Sequence, residues 1–189
     1  MDKLALLYRV PSPHSIYNML RDELAGCDTI LDVGCGEDSI LLRLGFNHAR
    51  ITGLDIWERY AIKHKDDAKY EGYLLADVTK IDLPAKSYDM VFLSDTLEHL
   101  SKEDVYNSNL FEKMSRWAKK KVVMMLPCGF IYNGSYDGNP YLYHKSGWDV
   151  GELRREGFKV RCTVRVRRKK YFKLTLLETV RTMFAVKEV

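Results

Sequence analysis

The chain has 189 residues, 46% of them hydrophobic and 30% charged, with a formal net charge of +4. A length of this order suits one compact domain with a sizeable core, since such a chain buries roughly 70% of its unfolded surface, and four cysteines without a C-x-x-C pair argue against a disulfide scaffold. No apolar run approaches the roughly 20 residues of a membrane span, and Met1-Asp2-Lys3 has no basic-then-apolar signal layout, so a soluble, cytoplasmic protein with reduced thiols is expected.

Residues 1–27 are expected to form an N-terminal helical segment that precedes the first strand. Ile30 to Val33 and Ile51 to Leu54 are short apolar runs that end in polar or glycine residues, as buried parallel strands do. Between them Ser39 to Leu44 reads as a helix, with Asp38 as N-cap and Gly45 as its stop. Tyr73 to Ala76 and Met90 to Leu93 repeat the apolar-run pattern. Ser101-x-x-Asp104 resembles a capping box opening a helix that buries Val105, Phe111, Met114 and Trp117. Val122 to Leu126 is a fifth strand, stopped by Pro127. Residues 127–146, rich in Gly, Asn, Tyr and Pro, read as a long loop on the acceptor side of a ligand site.

Ser146 to Glu156 then looks helical. Phe158, Val160, Cys162, Val164 and Val166 alternate with Lys159, Arg161, Thr163, Arg165 and Arg167, which predicts a strand buried on one face. Met183 to Val186 is the candidate last strand, with either an inserted helix over Tyr171 to Val180 or a strand over Tyr171 to Leu176. Strands alternating with helices predict a single-domain α/β fold with a parallel sheet covered on both faces.

Asp32-Val33-Gly34-Cys35-Gly36 falls where the first strand turns into the first helix, the place where such sheets bind nucleotide-like ligands. Its glycines allow a tight turn and a close approach of backbone to ligand. Asp55 closes the second strand 23 residues after Asp32, a spacing at which an acid can accept from a ribose diol. A dinucleotide would lay its pyrophosphate on the helix N-terminus. Glu37 and Asp38, read as acids without an adjacent base, would repel it, whereas Asp32 and Glu37 would suit the cationic S-adenosylmethionine.

Ile30-Leu31-Asp32-Val33-Gly34-Cys35-Gly36, Gly53-Leu54-Asp55-Ile56, Ala76-Asp77-Val78 and Tyr88-Asp89 through Ser94-Asp95 resemble, in order, the successive motifs of class I S-adenosylmethionine-dependent methyltransferases of the type 11-like kind. The resemblance implies a Rossmann-like, doubly wound, mostly parallel seven-stranded sheet with an antiparallel C-terminal strand, and it implies that Asp32, Gly34, Cys35 and Gly36 surround the methionine portion of the cofactor. It likewise places Asp55 at the ribose, Ile56 at the adenine face, Asp77 with Val78 at the adenine edge, and Ser94 beside them. The third glycine common in the family is Asp38 here.

The fourth strand delivers Ser94-Asp95-Thr96-Leu97-Glu98-His99 to the same edge, so Glu98, His99 and the distant His144 are candidate catalytic residues. Tyr132, Tyr136, Tyr141 and Tyr143 are candidates to line an acceptor pocket. The expected function is methyl transfer to a small-molecule or glycan-like hydroxyl or amine acceptor. Asp95, Glu98, His99 and His144 would also make a divalent-metal set, similar to that of small-RNA 3′-terminal 2′-O-methyltransferases. A metal-assisted RNA 2′-O-methyltransferase is therefore the alternative enzyme. A non-catalytic S-adenosylmethionine-binding module is the alternative outside catalysis.

Charge is uneven along the chain. Arg154 to Lys173 holds ten Lys/Arg against Glu156 alone, giving +9, and the remainder carries −5. Such a run is either a solvated face or a surface for RNA or another acidic partner.

Overall fold

A computed structural model describes residues 16–46, 49–64, 70–133, 138–171 and 174–189. Seven strands form one sheet: β1 Thr29–Val33, β2 Arg50–Asp55, β3 Gly72–Leu75, β4 Tyr88–Ser94, β5 Ala118–Pro127, β6 Lys159–Tyr171 and β7 Leu174–Glu188, in the order β3-β2-β1-β4-β5-β7-β6. β1 pairs in parallel with β2 and β4, β2 with β3, and β4 with β5. β7 alone runs against its neighbours. The mostly parallel, Rossmann-like doubly wound sheet with an antiparallel C-terminal strand is thus the one the resemblance implies, and its parallel core is the one the residue pattern predicts.

The central strands are mostly apolar because both their faces are covered, Asp32 in β1 being a buried exception. Successive side chains of a strand point to opposite faces, so Ile30 joins a core with Leu20, Leu24 and Phe184. Leu31 and Val33 join Val91, Met114 and Trp117 on the other face. The first face is covered by α1, Ile16–Leu24, whose Ile16, Met19, Leu20 and Leu24 are buried; residues 1–15 of the expected N-terminal segment lie outside the described ones.

Several local expectations are corrected. The helix after β1, α2, is only Ile40–Arg43, and Ser39 caps it by accepting from the Leu41 amide at 3.1 Å. Asp38 pairs with Arg43 at 3.5 Å instead of capping. α3 is Glu58–His64. The single helix expected after Ser101 is two, α4 Lys102–Asn107 and α5 Leu110–Trp117, because Asn109 adopts the left-handed conformation at φ 52° and breaks the run. α6 is Val150–Arg155, opened at Asp149 by a reciprocal capping box with Glu152, so Ser146 to Trp148 are not helical.

Among the described residues no helix interrupts the C-terminus: β7 is continuous from Leu174 and pairs with β6 from Lys159↔Val186 to Tyr171↔Leu174. The β-branched Thr175, Thr179, Val180 and Thr182 favour that extended state over a helix. β6 is an edge strand, and the buried face expected for it shrinks to its base. Phe158, just before it, is buried, whereas Cys162 and Val164 are exposed.

Asp89 explains how the first strand is held at its start. Its carboxylate, buried and paired with Lys120 at 3.3 Å, accepts from the Asp28 and Thr29 amides at 2.8 and 3.1 Å. Burial would raise its pKa, yet these amides and Lys120 hold it below the usual carboxylate range. Asp89→Ala is expected to lower the unfolding free energy by about 1–3 kcal/mol, because two backbone donors lose their acceptor; chemical denaturation of both proteins measures it.

Candidate functional site

The C-terminal ends of β1, β2 and β4 open onto a cavity of about 350 Å³, beside the point where strand order reverses between β1 and β4. That volume falls within the range of small-ligand sites.

The turn after β1 is built by backbone. Gly34 and Gly36 have φ of 66° and 63°, which L side chains rarely adopt. The Gly34 and Cys35 amides both donate to the Leu54 carbonyl, at 2.7 and 3.2 Å. A Cβ on Gly34 would collide with the Thr96 side chain, whose hydroxyl donates to the Val33 and Ser94 carbonyls at 3.0 and 3.1 Å. A Cβ on Gly36 would meet nothing within 4 Å. Its side of the turn opens onto the cavity, so at Gly36 the bare backbone leaves room for a ligand.

Asp55 ties this turn to the next one. Its carboxylate accepts from the Gly36 amide at 2.9 Å and from the Trp57 amide at 2.9 Å, while remaining on the cavity wall. A carboxylate on the cavity wall is an acceptor of the kind that a ligand diol requires.

Asp32, 2% exposed, accepts from the Ser39 hydroxyl. Burial pushes its carboxyl up to about 7; the nearby Asp55 charge adds to the rise and the Ser39 hydroxyl opposes it. Cys35, buried between Asp32 and the rings of Tyr70 and Tyr73, has its thiol pKa raised chiefly by burial, so it is no thiolate nucleophile.

The turn acids do have basic neighbours, contrary to the expectation. Lys63, from α3, reaches Glu37 at 2.7 Å, and Arg43 pairs with Asp38. The folded chain thus brings up cations that linear spacing places 26 and 5 positions away, and the turn's own charge is largely cancelled. Preference for a cationic ligand rests on the inner carboxylates, Asp32 and Asp55.

Asp77 caps its own turn, accepting from the Thr79 amide and hydroxyl at 3.0 and 2.6 Å and pairing with Lys80 at 3.1 Å. Burial raises its pKa less than these donors lower it. Asp77, Val78, Ile56, Ser94 and Asp95 all line the cavity, as do Asp32, Gly34, Cys35, Gly36 and Asp55. Asp95 takes a φ of 51°, a strained position for a non-glycine residue at the end of β4.

Of the three candidate catalytic residues, only His99 lines the cavity. Its Nδ1 lies 3.2 Å from the Tyr143 carbonyl. A carbonyl only accepts, so neutral His99 carries its hydrogen on Nδ1 and keeps the Nε2 lone pair. Burial lowers its pKa, the Tyr143 carbonyl opposing and His144 assisting, which keeps the ring neutral and able to accept a proton. His144 packs edge-on against it with ring centroids 4.8 Å apart.

Glu98 is buried, 2% exposed, and is not on the cavity wall; its backbone carbonyl accepts from the Lys145 and Ser146 amides at 2.8 and 3.1 Å. Ligand atoms of Glu98, His99 and His144 nevertheless lie within 4.8 Å of one another. Asp95 is not in that group, so the expected four-residue metal set is reduced to three.

The loop after β5 serves two walls. Tyr141 and Leu142 line the cavity, whereas Tyr132 is 79% exposed; Tyr136 lies outside the described residues. Tyr141 meets Trp57 edge-on at 5.9 Å, and the Asn139 amide donates to the Tyr60 hydroxyl at 3.3 Å. The loop therefore walls the end of the cavity near Trp57 as well as the end near His99. Sequence reading missed Ser39, Thr96, Tyr60 and Asn139. Only Ser39 had a visible signal, as a capping residue type directly before an apolar run.

Residues 31–126 match a family described as a methyltransferase domain. Over 112 residues the chain is 31% identical to (S)-tetrahydroprotoberberine N-methyltransferase of Eschscholzia californica, covering 55% of this chain and 30% of that protein. The chain therefore spans about a third of the length of that curated relative. Among solved structures, an S-adenosylmethionine-dependent methyltransferase from Methanosarcina mazei aligns with a TM-score of 0.61 at 14% identity, over 90% of this chain and 97% of the other. Magnesium protoporphyrin IX methyltransferase of Synechocystis, solved with bound S-adenosylmethionine, aligns at 0.54 and 18% identity, over 91% and 76%. At these identities the structural likeness speaks for the fold.

The buried Asp32 makes ligand-free stability depend on pH. A carboxyl whose folded pKa is raised stabilises the fold fully below its unfolded pKa near 3.8, and that contribution is lost as pH climbs through about 7. Wild-type protein is expected to lose more stability than Asp32→Asn between pH 5 and pH 8; thermal melting of the two proteins across that range measures the difference.

Proposed function

Because this chain belongs to the methyltransferase domain family, of the class I S-adenosylmethionine-dependent kind, we propose that it moves the S-adenosylmethionine methyl group to a hydroxyl or amine of a small-molecule or glycan-like acceptor. The observation that carries this reading is the Gly34–Gly36 turn held by Asp55 above the buried Asp32. That donor set fits the cofactor: open space at Gly36, carboxylates for an ammonium and a ribose diol, and the apolar Leu54, Ile56 and Val78 for a flat base.

When bound, the cofactor supplies an electrophilic methyl group on a sulfonium leaving group. Asp32, Gly34, Cys35 and Gly36 hold the methionine end, and Asp55 the ribose. Ile56, Val78, Asp77 and Ser94 border the adenosine. A cation drawn against Asp32 pulls its pKa back down, so cofactor binding below about pH 7 expels a proton there. Alignment and exclusion of water account for much of the acceleration in such a transfer. His99 Nε2 takes the acceptor's proton, and His144 and Glu98 are positioning residues behind that ring.

Calorimetry with S-adenosylhomocysteine tests the base of this reading. Wild type binds, and Asp55→Ala weakens binding by about 1–3 kcal/mol. His99→Gln leaves that affinity within about twofold yet lowers turnover on a panel of hydroxyl and amine acceptors by about 10²–10⁴-fold. Absence of binding by wild type removes the proposal, and binding without turnover on any acceptor leaves a cofactor-binding module.

A second reading draws on the convergence of Glu98, His99 and His144. One carboxylate and two imidazoles suit a divalent cation, which would assist methylation of an RNA 2′-hydroxyl. Its signature is loss of turnover in EDTA with recovery on manganese or magnesium; full turnover in EDTA removes it.

A further inference from the structure

The last eight rungs of the β6–β7 ladder, Val164↔Arg181 to Tyr171↔Leu174, extend past the rest of the sheet, because β5 partners β7 only from Glu188 back to Thr182. At about 3.3 Å per residue this is a two-stranded ribbon roughly 26 Å long. It leaves the sheet where Pro127, the last residue of β5, pairs with Thr182. That is the C-terminal edge of the parallel strands, the edge that also holds the cavity.

Two independent features coincide there. Residues 164–181 contain seven Lys/Arg against Glu178, a net +6 that leaves −2 for the rest of the chain. Among those cations the ribbon also carries Val166, Tyr171, Leu174, Leu176 and Leu177. At its root the Cys128 amide donates to the Arg181 carbonyl at 2.9 Å. The segment that follows presents Phe130 at 59% and Tyr132 at 79% exposure, and Val164 on the ribbon is 60% exposed. Tyr141, on the cavity wall, and Tyr143 are also exposed, and the Asn133 side-chain amide, next in the chain to Tyr132, donates to the Leu142 carbonyl between them at 3.2 Å.

We propose that the β6–β7 ribbon and the aromatic rim at its root form a docking surface for an anionic lipid bilayer, and that the methyl acceptor is an amphiphile presented at that bilayer. Among the described strands these eight rungs pair only with each other, and a two-stranded ribbon by itself is marginal in water, so a partner that accepts both its charge and its apolar residues stabilises it. A second copy would set +6 against +6 and be repelled. A nucleic acid would take the cations but gain little from three leucines. A bilayer surface takes both: headgroups attract Lys and Arg, aliphatic side chains reach the acyl boundary, and tyrosines suit the level between them. Among the described residues no helix is long and apolar enough to cross a membrane. The amphiphilic acceptor rests on the methyl-transfer reading above; the docking surface does not.

Sedimentation with vesicles of phosphatidylcholine, alone or mixed with phosphatidylglycerol, tests the surface. Wild type should sediment with the anionic vesicles only and be released by high salt, as screening dictates. Joint Arg167→Ala, Arg168→Ala, Lys169→Ala and Lys170→Ala substitution should lower partitioning by more than about tenfold, with affinity for S-adenosylhomocysteine unchanged. Phe130→Ser should lower partitioning as well. Sedimentation indifferent to lipid charge or to salt, or no sedimentation, overturns the proposal. Binding of an RNA oligonucleotide without vesicle binding assigns the ribbon to nucleic acid and overturns it too. Vesicle binding without S-adenosylhomocysteine binding leaves the docking surface standing and removes the methyl-transfer reading; the converse result does the reverse.

Discussion

Two amide-to-carboxylate hydrogen bonds, from Gly36 and Trp57 to Asp55, hold together the parts from which the cavity is made. They fasten the turn leaving β1 to the turn leaving β2, and charged acceptors make such bonds stronger than neutral ones. The Gly34 and Cys35 amides add the Leu54 carbonyl to the same joint, and Thr96 reaches across from β4 to pack on Gly34. Three neighbouring strands thus share one knot of backbone bonds. Asp55 serves the cavity's architecture as well as its surface, and a cofactor bound there meets a wall that is already in place.

Charge in the cavity follows from depth. Glu37 and Asp38 are exposed and paired with Lys63 and Arg43, and ion pairs so open to water contribute little energy or selectivity. Asp32 is different: 2% exposed, facing Asp55 and supported by one hydroxyl, it resists ionisation up to about pH 7. Relief comes from a cation, and both the ammonium and the sulfonium of S-adenosylmethionine provide one. Phosphate would meet the reverse field. The acidic character of the cavity therefore resides on Asp32 and Asp55, one layer deeper than Glu37 and Asp38.

The edge of the sheet shows a contrasting use of charge. Edge strands invite pairing with other chains, and lysines and arginines blunt that tendency. β6 carries them in number, yet Cys162 and Val164 beside them are exposed where a one-sided strand would be buried. An edge both basic and apolar is unusual for a face that meets only water.

The sequence by itself determined the parallel core, the glycine turn, Asp32 and Asp55, because each is a local pattern: an apolar run, a glycine pair, or an acid at a strand end. Sequence order also brought His99 to the cavity edge. It did not reveal that Glu98 would be buried behind His99, that His144 would pack against that ring, or that Lys63 and Arg43 would neutralise the turn acids. Each of these depends on contacts between distant segments. The break at Asn109 and the continuity of β7 were equally hidden, one resting on a single backbone conformation and the other on a ladder with β6. Only the tertiary structure decided which acids face a ligand and which face a partner residue, since burial and pairing, unlike periodicity, are properties of the folded chain.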